Sequence, residues 1–280
     1  MMCEISVVMP VYNSAAYVAH AIESVLMQSF EHFELIIVDD GSTDNTCALV
    51  EAFSDKRIKL LRNGHDFIAS LNMGMNAAQG KYIARMDADD LMHTDRLRVQ
   101  HAIMSKHPEI TVCGTWAATF GDNAVHAGML GTAKGMIDMP LLNLLQGNFI
   151  FHPTSMLRVD FFKQQSLCYE RYPYAEDYKL WVEIAKRGGR FYVESQPLLY
   201  YRVSETQVSS VHASEQEEAA QKIKAEIMAW LIERNATANP ELGDIHTAFC
   251  KLKDKGMITD KEASTFLQLI FLKNSEKLSI

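Results

Sequence analysis

The chain has 280 residues, 48% hydrophobic and 22% charged, and a formal net charge of −8. That length buries a substantial core with room for an appendage, in a composition ordinary for a soluble globular protein. The acidic balance argues against nucleic acid as a partner, since a phosphate backbone calls for clustered Lys and Arg. Five cysteines, Cys3, Cys47, Cys113, Cys168 and Cys250, lack C-x-x-C spacing. They suggest neither a zinc cage nor a disulfide framework, which fits a reducing cytoplasm. The start, Met1-Met2-Cys3-Glu4, reads as lacking a signal peptide, and no uninterrupted apolar run is long enough to span a membrane.

In chain order, Ile5-Ser6-Val7-Val8-Met9 predicts a strand ended by Pro10. Val18, Ile22, Val25 and Leu26 then recur at helical spacing behind the candidate caps Asn13 and Ser14. Leu35-Ile36-Ile37-Val38 predicts a second strand, and Leu49, Val50 and Phe53 a helix opened by Ser42 or Asp44. Ile58-Lys59-Leu60-Leu61 predicts a third strand; Leu71, Met75 and Ala78 mark a helix ending at Gly80; residues 81–86 make a fourth strand. Near-continuous apolar strands alternating with helices imply an α/β fold with a mainly parallel sheet covered on both faces. Glycines at 114, 121, 128, 131 and 135 make the middle less regular, with a loop expected around 121–136. Glu176-Asp177 opens a helix with Leu180, Trp181 and Ile184 facing inward and Gly188-Gly189 at its end. From about 213 the residues are charged helix formers, with a stripe of Ile223, Ile227, Trp230 and Leu231 and a capping box, Thr259 and Glu262, ahead of Phe266, Leu269 and Ile270. The expected division is therefore 1–210 for the α/β unit and 211–280 for a helical extension without a marked basic cluster.

In a parallel sheet, ligands bind beyond the carboxyl ends of the strands, near a reversal of strand order. Three loops leave those ends: Pro10-Val11-Tyr12-Asn13, Asp39-Asp40-Gly41-Ser42 and Asp87-Ala88-Asp89-Asp90. All three are expected on one rim. Asp87 and Asp89 point to the same side of an extended segment, about 7 Å apart along the chain. Such oxygens suit Mg²⁺ or Mn²⁺, which would let an acidic protein bind an anionic diphosphate. Helix capping is the plainer reading of the same carboxylates, and turn chemistry that of Asp39-Asp40. Tyr12 either stacks on a base or packs at the sheet edge.

Val8-Met9-Pro10-Val11-Tyr12-Asn13, Ile36-Ile37-Val38-Asp39-Asp40-Gly41-Ser42-Thr43-Asp44 and Gly80 through Asp90, followed by His152-Pro153-Thr154, Ala175-Glu176-Asp177-Tyr178-Lys179-Leu180-Trp181 and Tyr200-Tyr201-Arg202, stand in that order. Over residues 4–205 the sequence resembles a family 2 glycosyltransferase of the GT-A fold. The resemblance implies an inverting, metal-dependent transfer from a UDP-sugar donor to a saccharide or lipid-linked saccharide, in cell-surface polysaccharide or glycolipid assembly. By position it gives Pro10, Val11, Tyr12, Asn13, Asp39, Asp40, Asn72, Asp87, Ala88 and Arg202 to the nucleotide-sugar. Asp89, with Asp87, goes to the metal and Asp177 to the general base, whose carboxylate takes the acceptor proton. His152 and Glu176 are candidates for the acceptor site; a turn role competes for His152, and interaction with the helix N-terminus for Glu176 and Asp177. A cytoplasmic protein, peripheral at the inner membrane face, and a homodimer remain open readings.

The sequence departs from the family at two points. Ser204 stands where many relatives carry a metal-binding histidine, and His212 lies well downstream. Asp66-Phe67-Ile68-Ala69-Ser70-Leu71 precedes Asn72 where relatives carry a glycine and often an arginine, so Arg202, ahead of Arg85, becomes the candidate cation for the diphosphate. Two competing readings are a nucleotidyltransferase, disfavoured because no glycine follows the first strand, and a non-catalytic sugar-nucleotide-binding relative.

Overall fold

A computed structural model describes residues 3–121, 128–203, 212–274 and 278. Strands β1 (Ile5–Val11), β2 (Phe33–Asp39), β3 (Ile58–Arg62) and β4 (Tyr82–Arg85) alternate with helices α1 (Val18–Leu26), α2 (Thr46–Glu51) and α3 (Phe67–Ala77). Then follow β5 (Leu91–Met92), α4 (Arg96–Lys106), β6 (Ile110–Phe120), β7 (Met129–Leu130), β8 (Gly135–Met136), α5 (Pro140–Gln146) and a 3₁₀ turn (His152–Thr154). The remaining elements are β9 (Met156–Arg158), α6 (Val159–Gln165), α7 (Glu176–Lys186), β10 (Arg190–Arg202), α8 (Ala213–Asn235), α9 (Pro240–Asp254) and α10 (Asp260–Lys273). The sheet runs β3-β2-β1-β4-β9-β6-β10-β5. β1–β4 are mutually parallel, and β9 joins antiparallel.

The pleat sorts β1 and β2 between two cores. Val7, Met9, Leu35 and Ile37 pack with Val18, Ile22 and Val25 of α1 and Leu97 of α4. Val8, Ile36 and Val38 face the other way, toward Leu71 of α3, Trp181 of α7 and Ile223, Ile227 and Leu231 of α8. Alternation of side chains at period two makes one strand serve both layers. The apolar face of α8 thus joins the core of the α/β unit; the expected boundary at 210 falls outside the described residues. Among the described residues no helix is long and apolar enough to cross a membrane.

Several local expectations change. β1 does not stop at Pro10, because Pro10 pairs in register with Val38 and the strand continues to Val11. Along a strand the N–H and C=O groups alternate sides. Val11 O accepts from Asp40 N on the β2 side (2.8 Å) and Val8 O from Met86 N on the β4 side (3.1 Å). The imide nitrogen of Pro10 therefore faces β4 beyond its last paired residue, Arg85, where no donor is needed. Asn13 and Ser14 do not cap α1, whose N-cap is Tyr17. Gly80 does not end α3 either; that helix stops at Ala77, and a Cβ on Gly80 would lie 2.7 Å from Ser6 N, so the glycine permits close backbone approach to β1. The irregular middle contains α4 and the long strand β6, and β10 follows α7. In α10 the capping box forms, but Leu267 and Phe271 are buried while Phe266 and Leu269 are exposed.

Candidate active site

The loops after β1 and β2 are tied together by polar groups of their own. Asn13 takes a left-handed conformation (φ +45°), which an Asn tolerates. Its Oδ1 accepts from Thr43 N (2.8 Å) and its N donates to Ser42 Oγ (3.0 Å). Ser14 N donates to Thr46 Oγ1 (2.7 Å) and Ala15 N to Asp44 Oδ2 (3.1 Å). At this rim Tyr12 is 45% exposed, with one face of its ring against His65 (centroids 4.4 Å apart), while Pro10 and Val11 are buried. Asp39, at the end of β2, is buried and accepts from Ser42 N (3.2 Å). Asp40 turns inward: its Oδ1 accepts from Asp66 N (2.7 Å), Ser70 Oγ (2.7 Å) and Asn63 Nδ2 (3.3 Å), which fixes the start of α3.

Beyond β4, carboxylate oxygens of Asp87, Asp89 and Asp90 lie within 4.8 Å of one another, flanking the buried Ala88. Burial, then the charge of Asp87, pushes the Asp89 carboxyl up to about 6. The same causes, with Asp89 added, hold Asp90 well above the usual carboxylate range. Asp90 Oδ1 accepts from Arg202 N (2.9 Å), whereas its buried Oδ2 has no partner among the described residues. Arg202 Nε donates to Asp89 O (2.9 Å), and its guanidinium sits over the rings of Tyr17 (4.3 Å) and Phe120 (4.5 Å). Arg202 thereby joins the first loop to the third and places positive charge behind the cluster. Ser204 lies outside the described residues, and Asp90, directly beside Asp89 in the sequence, is a third member of the cluster.

One buried cation acts both on the cluster and on a second group of titratable residues. Arg85, 4% exposed, ion-pairs with Asp87. Burial opposes its charge, but Asp87, Tyr169 and Asp90 together keep its pKa above the ordinary value. Its charge is felt at His152, Tyr169, Glu176 and Asp177. His152 Nε2 and the Tyr169 hydroxyl share a hydrogen bond of 2.7 Å. Burial, then Arg85, drives His152 well below the usual histidine range, so the ring is neutral at pH 7. Asn72 spends its amide on the same segment: Nδ2 donates to Tyr169 O (3.0 Å) and Oδ1 accepts from Tyr169 N (2.8 Å).

Glu176 and Asp177 form the first turn of α7. Asp177 Oδ2 accepts from Asn148 Nδ2 (2.8 Å) and Oδ1 from Tyr178 N (2.7 Å). Burial raises the Asp177 carboxyl despite those donors. Burial and the Asp177 charge push Glu176 up to about 7. Asp177 lines a cavity of about 350 Å³ with Asn148, Tyr174, Gln216 and Lys224. Tyr174 holds a left-handed backbone (φ +57°) and stacks on His212 at 4.1 Å. The contributions of Asn148 and Tyr169 escaped the sequence reading because each acts through a partner about 29 or 17 residues away.

A family model described as Glycosyl transferase family 2 matches residues 6–164. An uncharacterized glycosyltransferase of Haemophilus influenzae is 35% identical over 245 residues, spanning 82% of this chain and 75% of its own length. S. aureus TarS 1-349 in complex with UDP-GlcNAc shares the fold with a TM-score of 0.67 at 22% identity, over 82% of this chain and 66% of that one. The mannosyltransferase PcManGT from Pyrobaculum calidifontis, in complex with GDP-Man and Mn2+, gives 0.63 at 17% identity, over 100% of this chain and 77% of that one.

Proposed function

The chain belongs to glycosyl transferase family 2 with the GT-A fold, and we propose that it transfers a sugar, with inversion, from a UDP-sugar to an acceptor hydroxyl beside Asp177. The observation that carries this reading is an oxygen cluster, Asp87, Asp89 and Asp90, beyond β4, together with the Asp177 carboxylate lining a cavity at the start of α7, both acted on by the charge of Arg85. TarS and PcManGT, each bound to a nucleotide-sugar, support the donor class.

The donor set fits a hard divalent ion: all ligands are carboxylate oxygens, one of them buried without a partner, and their mutual repulsion calls for a cation. Asp89 and Asp87 would hold Mn²⁺ or Mg²⁺, with Asp90 adjoining. When bound, the ion supplies charge neutralisation to the diphosphate and Lewis-acid stabilisation of the departing UDP. Tyr12 offers its open ring face to uracil, and Asp39 its carboxylate to the ring N–H. Pro10, Val11, Asn13 and Ala88 shape the backbone around the nucleotide. Asp40 and Asn72 act one step removed, by fixing α3 and the Tyr169 segment. Arg202 and Arg85 bring positive charge to the diphosphate side.

At the sugar, Asp177 accepts the acceptor's hydroxyl proton as the oxygen attacks the anomeric carbon from the face opposite the leaving group. The new C–O bond forms as the bond to the diphosphate breaks, and UDP keeps that electron pair. Glu176 and the neutral His152 would flank the acceptor.

The deciding experiment is thermal stabilisation by a panel of UDP- and GDP-sugars with manganese, followed by transfer assays with the stabilising donor. Stabilisation by a UDP-sugar is expected; response to GDP-sugars alone would overturn the uracil assignment. A pH prediction follows from Asn148. Protonation removes the base, so kcat/KM falls as pH drops through the raised pKa of Asp177. Asn148 stabilises the ionised form with its hydrogen bond. Asn148→Ala is therefore expected to move the acidic limb of the kcat/KM profile upward by about one pH unit. An unmoved limb would show that Asp177 is not the titrating base.

A further inference from the structure

Helix α10 carries apolar residues on opposite sides. The inner ones, Leu267 and Phe271, are buried in the core where α10 packs against α5 and α8. The outer stripe is Glu262, Phe266, Leu269 and Lys273, all exposed, with Phe266 at 52% and Leu269 at 50%. At about 100° of turn per residue these four fall within about 60° of arc, so they lie along one line of the helix surface. Phe249 of α9 meets the Phe266 ring edge-on at 5.2 Å and holds it in place. Glu262 is fixed by the capping box, its Oε2 accepting from Thr259 N and Thr259 Oγ1 (both 2.8 Å), and Lys273 stands in the last turn.

The outer stripe is spaced by 4, 3 and 4 residues, the same from either end, while its terminal charges are opposite. Two copies of α10 laid antiparallel about a two-fold axis between Leu267 and Gln268 therefore set each Phe266 against the second copy's Leu269. The same operation sets each Glu262 against the second copy's Lys273. Such a contact is isologous and closes on itself. A parallel pair would bring Glu262 onto Glu262 and Lys273 onto Lys273, and like charges reject it. A lipid surface is the poorer match, because a chain of net charge −8 would press Glu262 against anionic head groups. Exposed ion pairs add little affinity, so the apolar contact supplies the attraction and the charges select the register.

We propose that a second copy of this chain docks on α10, making an antiparallel two-fold dimer through Phe266 and Leu269 with a Glu262–Lys273 pair at each end. One helix per copy is a small contact, so the dimer is reversible, with a Kd on the order of 10 µM. The proposal goes beyond the transfer reaction and does not depend on it.

The test is sedimentation velocity of the full chain from about 1 to 100 µM, where a monomer–dimer equilibrium is expected. Leu269→Glu is expected to weaken association at least about tenfold by placing a charge at the centre of the contact. Lys273→Glu is expected to weaken it about three- to tenfold by setting carboxylates against each other. Adding Glu262→Gln to Lys273→Glu should recover most of that loss, since Gln keeps the capping box and removes the repulsion. All three positions are exposed, and a retained melting temperature separates lost association from lost fold; should Leu269→Glu fail to fold, the Lys273 pair of variants decides. A monomer throughout the range, assembly beyond a dimer, or a dimer indifferent to either Leu269→Glu or Lys273→Glu would each overturn the proposal. So would flotation of a monomeric chain with phosphatidylglycerol vesicles that Leu269→Glu abolishes, because the stripe would then serve a lipid surface.

Discussion

Replacing Asp177 with Asn is expected to lower kcat by about 10²- to 10⁴-fold, the usual contribution of a positioned general base, while UDP binding in the presence of manganese is retained. The substitution preserves shape but not basicity. Oδ1 can still accept from Tyr178 N, whereas the new amide presents a donor to Asn148 Nδ2, which donates to the native carboxylate. That mismatch costs about 1 kcal/mol. Against it, burial disfavours the native carboxylate, as its raised pKa shows, and an uncharged amide escapes that penalty. The two effects oppose each other, so the melting temperature should change little and the lost turnover cannot be assigned to unfolding. Steady-state kinetics with calorimetry of UDP binding make the measurement. Equal falls in kcat and kcat/KM mark an interaction made only in the transition state. A variant within tenfold of the native kcat would remove Asp177 from the role of base.

The second large effect is expected at Asp89. Asp89→Asn should abolish the gain in UDP affinity that manganese confers on the native protein, bringing the affinity with metal to that measured with a chelator. Turnover should fall by about 10²- to 10³-fold, as when an electrostatic stabiliser of the transition state is lost. The physical basis is charge crowding. Asp87, Asp89 and Asp90 oxygens lie within 4.8 Å, and the Asp89 carboxyl is pushed up to about 6. A cation relieves that repulsion, and so, in part, does a neutral amide. The metal-free variant should consequently melt no lower than the native protein near pH 7. Manganese-dependent UDP affinity persisting in the variant would place the ion elsewhere. A fall in melting temperature would show that Asp89 serves the fold instead of a ligand.

Much of the site was legible because its parts sit at the ends of regular elements. Apolar runs marked β1, β2 and β4, and the polar residues directly after them, Tyr12, Asp39 and Asp87, stand at strand ends in the structure. The helical period from Leu180 to Ile184 likewise fixed the start of α7, with Glu176 and Asp177 in its first turn. β6 and β10 were missed because Thr, Gly, Glu and Gln interrupt their apolar pattern; their pairing with each other supplies what that pattern lacks. In α10 the exposed Phe266 and Leu269 drew the expected face one position away from the buried Leu267 and Phe271.

The sequence by itself determined the class of fold, the strand-end carboxylates and the helix bearing Asp177, since these depend on residues within a pleat or a few helical turns of one another. Only the tertiary structure decided that the charge of Arg85 acts on both acidic groups, that Asn72 pins Tyr169 and that Asp40 points into the fold. Those relations join residues far apart in the chain. Packing sets their distances, and neither periodicity nor propensity carries information about them.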